Sequence, residues 1–263
     1  MGGNEIRMKK IAVCGKGGSG KSTAVTLLAG GARDRGYRVL VVDSDESNPG
    51  LYRILGFDER PEPLLGLVGG KKKVFETFSE GSEPARSVLT REQVHISDLE
   101  PPYVVEKDGI KLVSVGKILQ SLEGCACPMG ALSREFLKRL IPEDDEVVLV
   151  DMEAGIEHFG RGVESGVDSV IAVAEPSFDS LELAKKIGVL AAEVGIKTTR
   201  AILTKVPSEE LAGRLRAELE NAGVPVIGSI RYDLKILQAG LEGRPIGGDG
   251  TANDVRGILD QLL

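Results

Sequence analysis

Short apolar runs rich in valine and isoleucine recur along the chain, at residues 9–14, 37–43, 110–115, 146–151, 168–174, 199–205 and 225–230. Val39-Leu40-Val41-Val42 and Val147-Val148-Leu149-Val150 are continuous rather than alternating. That is the pattern of strands covered on both faces, as in a parallel sheet. Helical patterns over 21–35, 129–140, 178–194 and 208–222 fill the gaps. Repeated βαβ units require right-handed crossovers. The expected fold class is therefore α/β: a doubly wound, mostly parallel sheet with helices on both faces, read as one domain over 1–263. Residues 58–109 interrupt the rhythm with Pro61, Pro63, Gly69-Gly70, Lys71-Lys72-Lys73, Gly81 and Pro101-Pro102. They read as an irregular excursion with some helix and a short hairpin, and the lysine triplet as a solvated patch.

The first strand leads into Gly15-Lys16-Gly17-Gly18-Ser19-Gly20-Lys21-Ser22, which fits G-x-x-x-x-G-K-[ST] at every fixed position. A strand before it and a helix after it are the context that this motif needs. Backbone N–H groups of such a loop point at phosphate oxygens, and the helix N-terminus adds positive potential. Lys21 is expected to reach the β- and γ-phosphates of ATP, Ser22 to hold Mg²⁺, and Thr23 to complete the cradle. Lys16 is a second lysine that an ordinary phosphate loop does not need.

Two strands end in carboxylates: Asp43-Ser44-Asp45 after the second and Asp151 after the fourth. Carboxyl ends of strands form the ligand crevice of a doubly wound sheet. Asp151 fits the position of a Walker-B carboxylate. Gly155 offers a backbone N–H to a γ-phosphate, and Asp45 is placed to orient an attacking water. Thr204-Lys205 and Arg231-Tyr232, at later strand ends, are candidates for contact with the nucleoside base.

Cys125-Ala126-Cys127 follows Gly124 and precedes Pro128, a favoured residue for a helix start. In extended backbone the two thiols point to one side. They read either as two small buried cysteines or as a pair of thiolate ligands for a borderline metal such as Zn²⁺ or Ni²⁺. A closed tetrahedral site needs four ligands. Cys14 reads as core, so an isologous two-fold dimer is the simplest source of the other pair.

Net charge is -7 over 263 residues, which argues against nucleic acid or an anionic membrane as the main partner. Three cysteines imply no disulfide framework. No apolar run approaches a bilayer span, and Met1–Arg7 has no signal-like apolar region, so a cytoplasmic protein is expected. His95 reads as a surface residue, and His158 as a polar residue early in a helix with an auxiliary metal or coupling role as the alternative.

The lysine after the first glycine resembles the deviant Walker-A class of P-loop NTPases, which includes the nitrogenase iron protein, MinD and ParA. The resemblance implies a SIMIBI/MinD-like fold, ATPase activity, and a homodimer in which Lys16 reaches the partner subunit's nucleotide. Asp151-Met152-Glu153-Ala154-Gly155-Ile156-Glu157-His158, Arg161-Gly162, Ile171-Ala172-Val173-Ala174-Glu175-Pro176 and the C-x-C pair are together similar to the CooC-type family. Members of that family are nickel-insertion ATPases of carbon monoxide dehydrogenase. The resemblance implies Ni²⁺ or Zn²⁺ at Cys125 and Cys127 of two subunits, and a client nickel enzyme. Two departures stand out: Glu153 replaces a usual glycine, and Thr204 replaces an adenine-reading asparagine. An iron–sulfur carrier, a MinD/ParA-type positioning ATPase and a cofactor-synthesising amidotransferase are the competing readings.

Overall fold

The computed structural model describes residues 9–45, 47–70, 73–74, 76, 88–116, 127–248 and 250–263. Its centre is an eight-stranded sheet in the order β3-β4-β2-β5-β1-β6-β7-β8. The strands are β1 (Lys10–Gly15), β2 (Arg38–Asp43), β3 (Val105–Lys107), β4 (Ile110–Ser114), β5 (Glu146–Asp151), β6 (Ser169–Ala174), β7 (Thr198–Val206) and β8 (Val226–Arg231). Every neighbouring pair is parallel except β3 with β4. The sequence-derived strands lie within about one residue of these bounds, because continuous Val/Ile runs leave little freedom of assignment.

The helices are α1 (Lys21–Asp34), α2 (Leu51–Ile54), α3 (Cys127–Arg139), α4 (Glu157–Gly160), α5 (Phe178–Glu193), α6 (Glu209–Asn221), α7 (Leu234–Glu242) and α8 (Ala252–Leu262). Alternation along β1 divides the core in two. Ile11 and Val13 face one layer with Val25 and Leu28 of α1 and Ile258 and Leu259 of α8. Ala12 and Cys14 face the other, with Leu132 and Phe136 of α3, Ile187 of α5 and Leu219 of α6. The apolar face of α8 is thus spent on packing: Val255, Ile258, Leu259 and Leu262 are all buried. Among the described residues, no helix is long and apolar enough to cross a membrane.

The excursion contains short 3-10 turns, Leu64–Val68, Val88–Thr90 and Ile96–Asp98, and the hairpin β3–β4. Its two-residue turn, Asp108-Gly109, has positive φ at both positions, 51° and 78°, as a tight hairpin of matching twist requires. His95 corrects the surface reading. It is half-buried, with Nδ1 buried and unpartnered among the described residues, because its neighbours Val94 and Ile96 are both drawn into the core. Lys71 and Lys72 of the triplet lie outside the described residues, as does Cys125; Cys127 opens α3.

Candidate active site

The carboxyl ends of β1, β2 and β5 meet at the point where strand order reverses about β1. The phosphate loop runs from Gly15 to Gly20 into α1, whose first residue is Lys21. Gly15 is fixed by close approach: a Cβ there would lie 2.5 Å from the Val173 carbonyl oxygen of β6. The loop is braced internally, with Ser19 N–H donating to Lys16 O at 3.1 Å and Ala24 N–H to Gly20 O at 2.8 Å.

The two lysines differ sharply. Lys21 is buried and its Nζ donates to Lys16 O at 3.4 Å, so the ammonium is folded over the loop. Lys16 is half-exposed and directed outward, where its Nζ stands 3.7 Å from Asp179 Oδ2 at the start of α5.

Ser22 Oγ donates to Asp151 Oδ2 at 2.6 Å and accepts from Asn48 Nδ2 at 2.8 Å. Asp151 is fully buried, and its Oδ1 has no hydrogen-bond partner among the described residues. Burial pushes its carboxyl up to about 7, against the Ser22 hydrogen bond and with the help of nearby Asp43. Asp43 lies beside it in register across β2 and β5. Asp45, also buried, accepts from Ser47 N–H at 2.9 Å, Ser47 Oγ at 2.7 Å and Asn48 N–H at 3.2 Å, all through Oδ1. Those bonds fix its carboxylate at the mouth of the cleft.

At the other end of the cleft, a cavity of about 250 Å³ is lined by Thr23, Thr204, Ile230, Tyr232, Ile236 and Leu241. Lys205 and Arg231 stand at its edge. Three of the four residues read as candidate base contacts are anchored elsewhere in this structure. The Thr204 hydroxyl is committed to the loop, donating to Ser19 O at 2.6 Å, and Arg231 Nε pairs with Asp254 Oδ2 at 3.1 Å. Lys205 Nζ likewise bonds the loop carbonyl of Gly18 and pairs with Glu175 Oε2 at 2.9 Å. Tyr232 alone of the four keeps a half-exposed side chain free of such an anchor among the bonds described. Shape and apolar contact are what this end offers.

A phosphate loop, a buried lysine, a serine bonded to a strand-end aspartate and an apolar base cavity occupy one edge of the sheet. The family described as CobQ/CobB/MinD/ParA nucleotide binding domain matches residues 10–246. The chain belongs to that family. It is a P-loop ATPase of the MinD/ParA type. An uncharacterized ATP-binding protein of Methanocaldococcus jannaschii is 44% identical over 254 residues, covering 96% of this chain and 99% of that one. The carbon monoxide dehydrogenase accessory protein CooC of Rhodospirillum rubrum is 37% identical over 236 residues, 88% of each chain. The resemblance to the CooC-type family therefore stands. Among solved structures, MinD of Pyrococcus horikoshii complexed with Mg-ADP has a TM-score of 0.69 at 18% identity, over 97% of this chain and 95% of that one. That likeness shows the fold.

In this ATPase the donor set at the strand ends fits Mg²⁺. Oxygen ligands suit a small hard cation, and the orphaned Asp151 Oδ1 beside the Ser22 hydroxyl is the group that such an ion would satisfy. The segment after β5 is the part most changed from expectation. Gly155 N–H donates to Gly15 O at 3.2 Å, so it is engaged with the loop's own strand and must leave it to meet a phosphate. Glu153, the unusual residue, pairs with Arg161 at 2.6 Å. His158 lies early in a helix, α4, as expected, but it is buried, and its Nδ1 contacts buried Glu164. Asp43, Asn48 and Glu164 were not singled out as site residues in the sequence. Asp43 and Asn48 had a signal in their closeness to Asp45; Glu164 had none, since its partner lies across a turn.

Proposed function

We propose that this ATPase is a homodimeric metallochaperone, which loads Ni²⁺ into a client enzyme of the carbon monoxide dehydrogenase type. One observation carries the reading: α3, which opens at Cys127, is fastened to the segment that follows Asp151. Arg134 Nη1 donates to Arg161 O at 3.1 Å. A Cβ on Gly130 would meet Arg161 Cδ at 2.7 Å, so helix and segment are in direct contact. Arg161 in turn holds Glu153. A displacement of Gly155 from Gly15 on phosphate binding has a short mechanical route to the helix that carries the second cysteine.

The chemistry follows from the cleft. Lys21 neutralises the β- and γ-phosphates, and the loop N–H groups cradle them. Ser22, Asp151 and the neighbouring Asp43 hold Mg²⁺, which supplies further neutralisation of phosphate charge. Asp45, fixed by Ser47 and Asn48, orients the attacking water. Lys16 swings from Asp179 toward the partner subunit's nucleotide, where its charge offsets that developing on the transferred phosphoryl group. Closure brings Cys125 and Cys127 of each subunit together, and four thiolates hold the cargo ion. Hydrolysis releases the closure and the metal. The buried face of α8 and the negative net charge speak for a protein client rather than a membrane or nucleic acid. An iron–sulfur cargo on the same four thiolates is the second reading.

The test is anaerobic nickel analysis of the full chain with ATP, with ADP and without nucleotide. Expected is an ATP-dependent gain of about one nickel ion per dimer, absent in the Cys125→Ser/Cys127→Ser variant and in Lys16→Gln. Nucleotide-independent binding at this stoichiometry, or visible absorption of a cluster in place of nickel, would overturn the nickel assignment.

A further inference from the structure

A second cluster of ligating side chains lies under the phosphate loop, outside the nucleotide cleft and independent of any partner subunit. Cys14 at the end of β1, His158 in α4 and Glu164 in the 3-10 turn Val163–Gly166 each present a ligand atom, and these atoms lie within 4.8 Å of one another. All three side chains are buried. We propose that they form an interior site for one borderline divalent transition-metal ion, of the zinc, cobalt or nickel kind.

Each residue carries a mark of this role. Glu164 is fully buried; Oε1 contacts His158 Nδ1, and Oε2 has no hydrogen-bond partner among the described residues. A buried carboxylate with half its capacity unmet is costly. His158 Nε2 stands 3.1 Å from the Gly155 carbonyl oxygen. A carbonyl only accepts, so Nε2 carries the hydrogen and Nδ1 turns inward. Metal-binding imidazoles are oriented in this way, with the outer nitrogen donating to a backbone carbonyl or carboxylate. Cys14 supplies the softness. Its thiol is pushed well above its ordinary value by burial, so it is protonated until a cation stands beside it.

Charge selects the ion. One thiolate, one carboxylate and one neutral imidazole sum to minus two, so a divalent cation leaves the buried site neutral. Binding is balanced by loss of the Cys14 thiol proton and of the proton shared between His158 Nδ1 and Glu164. A thiolate and an imidazole disfavour Mg²⁺ and Ca²⁺ and favour zinc, cobalt or nickel. The placement gives the ion a structural consequence. Cys14 precedes Gly15, and His158 holds the carbonyl of Gly155, whose N–H donates to Gly15 O. An ion here would clamp both sides of the bridge that must open for Gly155 to reach a phosphate.

The site is tested in the full-length Cys125→Ser/Cys127→Ser variant, which lacks the C-x-C thiols, produced anaerobically with cobalt in the medium and purified without nucleotide. Expected is about one cobalt ion per chain, with a thiolate-to-cobalt charge-transfer band. Adding Cys14→Ser should abolish that band, and adding His158→Gln should lower the metal content at least tenfold, with each variant checked as folded by circular dichroism. Should His158→Gln fail to fold, Glu164→Gln in the same background must show the loss of metal. No cobalt in the parent variant, or a band that survives Cys14→Ser, would overturn the proposal. These outcomes are separate from the nickel test above, which reads only the ATP-dependent gain in metal and so excludes any ion already held at this interior site.

Discussion

The two ends of the nucleotide cleft are built on opposite principles. At the phosphate end, two buried polar atoms have no hydrogen-bond partner among the described residues: Asp151 Oδ1 and Ser19 Oγ. At the base end, polar groups are already committed, Thr204 to Ser19 and Arg231 to Asp254, and an apolar cavity of about 250 Å³ remains. The first end is unfinished without its ligand, and the second is finished and merely open. Chemical identity should therefore matter at the phosphate end and shape at the base end.

The largest effects should come from the lysines. Lys21→Ala is expected to lower kcat by ~10³-fold or more, and Lys16→Gln by a similar factor, since in the proposed mechanism each charge is aimed at the transition state. They should separate on a second readout. Lys21→Ala loses nucleotide affinity in equilibrium binding, whereas Lys16→Gln keeps it and loses ATP-dependent dimerisation by light scattering. Equal loss of affinity in both would erase the distinction between the buried and the outward lysine.

Asp45→Asn comes next, with kcat down by about 10²-fold and nucleotide binding retained. A KM effect without a kcat effect would move Asp45 from water positioning to binding.

Asp151→Asn sharpens the comparison through pH. The native carboxyl sits at about 7, above its unfolded value. Between about pH 4 and 7 the native state holds more protons than the unfolded state, so stability falls as pH rises through that window. Asparagine imitates the protonated form and escapes the penalty. In nucleotide-free protein, Asp151→Asn should melt near wild type at pH 4.5 and roughly 5 °C or more above it at pH 8. A constant difference across pH would show that the carboxyl is not held neutral.

The smallest effect belongs to the base end. Leu241→Ser, on the exposed lip of the cavity, should raise KM for ATP by about 2- to 10-fold with kcat unchanged. A larger change than that of Asp45→Asn would reverse the contrast between the two ends.

The sheet was legible because its strands are continuous apolar runs, and because the phosphate loop fixes direction and crevice together. Lys16, Lys21, Ser22, Asp45 and Asp151 were legible as a set, since each sits at a strand end or in the loop. What escaped notice depends on contacts between distant segments. Thr204 occupies a base-reading position in sequence, yet its hydroxyl is taken by Ser19, 185 residues away. Cys14 read as core, which it is, but nothing in the chain announces that His158 and Glu164 share its compartment. His95 looked exposed because a lone polar residue in an irregular stretch gives no sign that both neighbours are buried. The short helices α7 and α8 are not among the patterns named from the sequence, although each carries a clear apolar face.

The register of β2 against β5 sets Asp43 and Asp151 side by side at the same height. Parallel strands that end together cannot stagger two such groups apart, so in the empty cleft Asp43 adds to the cost of ionising Asp151. A cation brought in with the nucleotide would offset that cost, and a ligand at a hundred times its dissociation constant adds about 2.7 kcal/mol to stability. The folded population is then tied to the supply of nucleotide. A chain stripped of nucleotide would open more often and be degraded sooner than the loaded one.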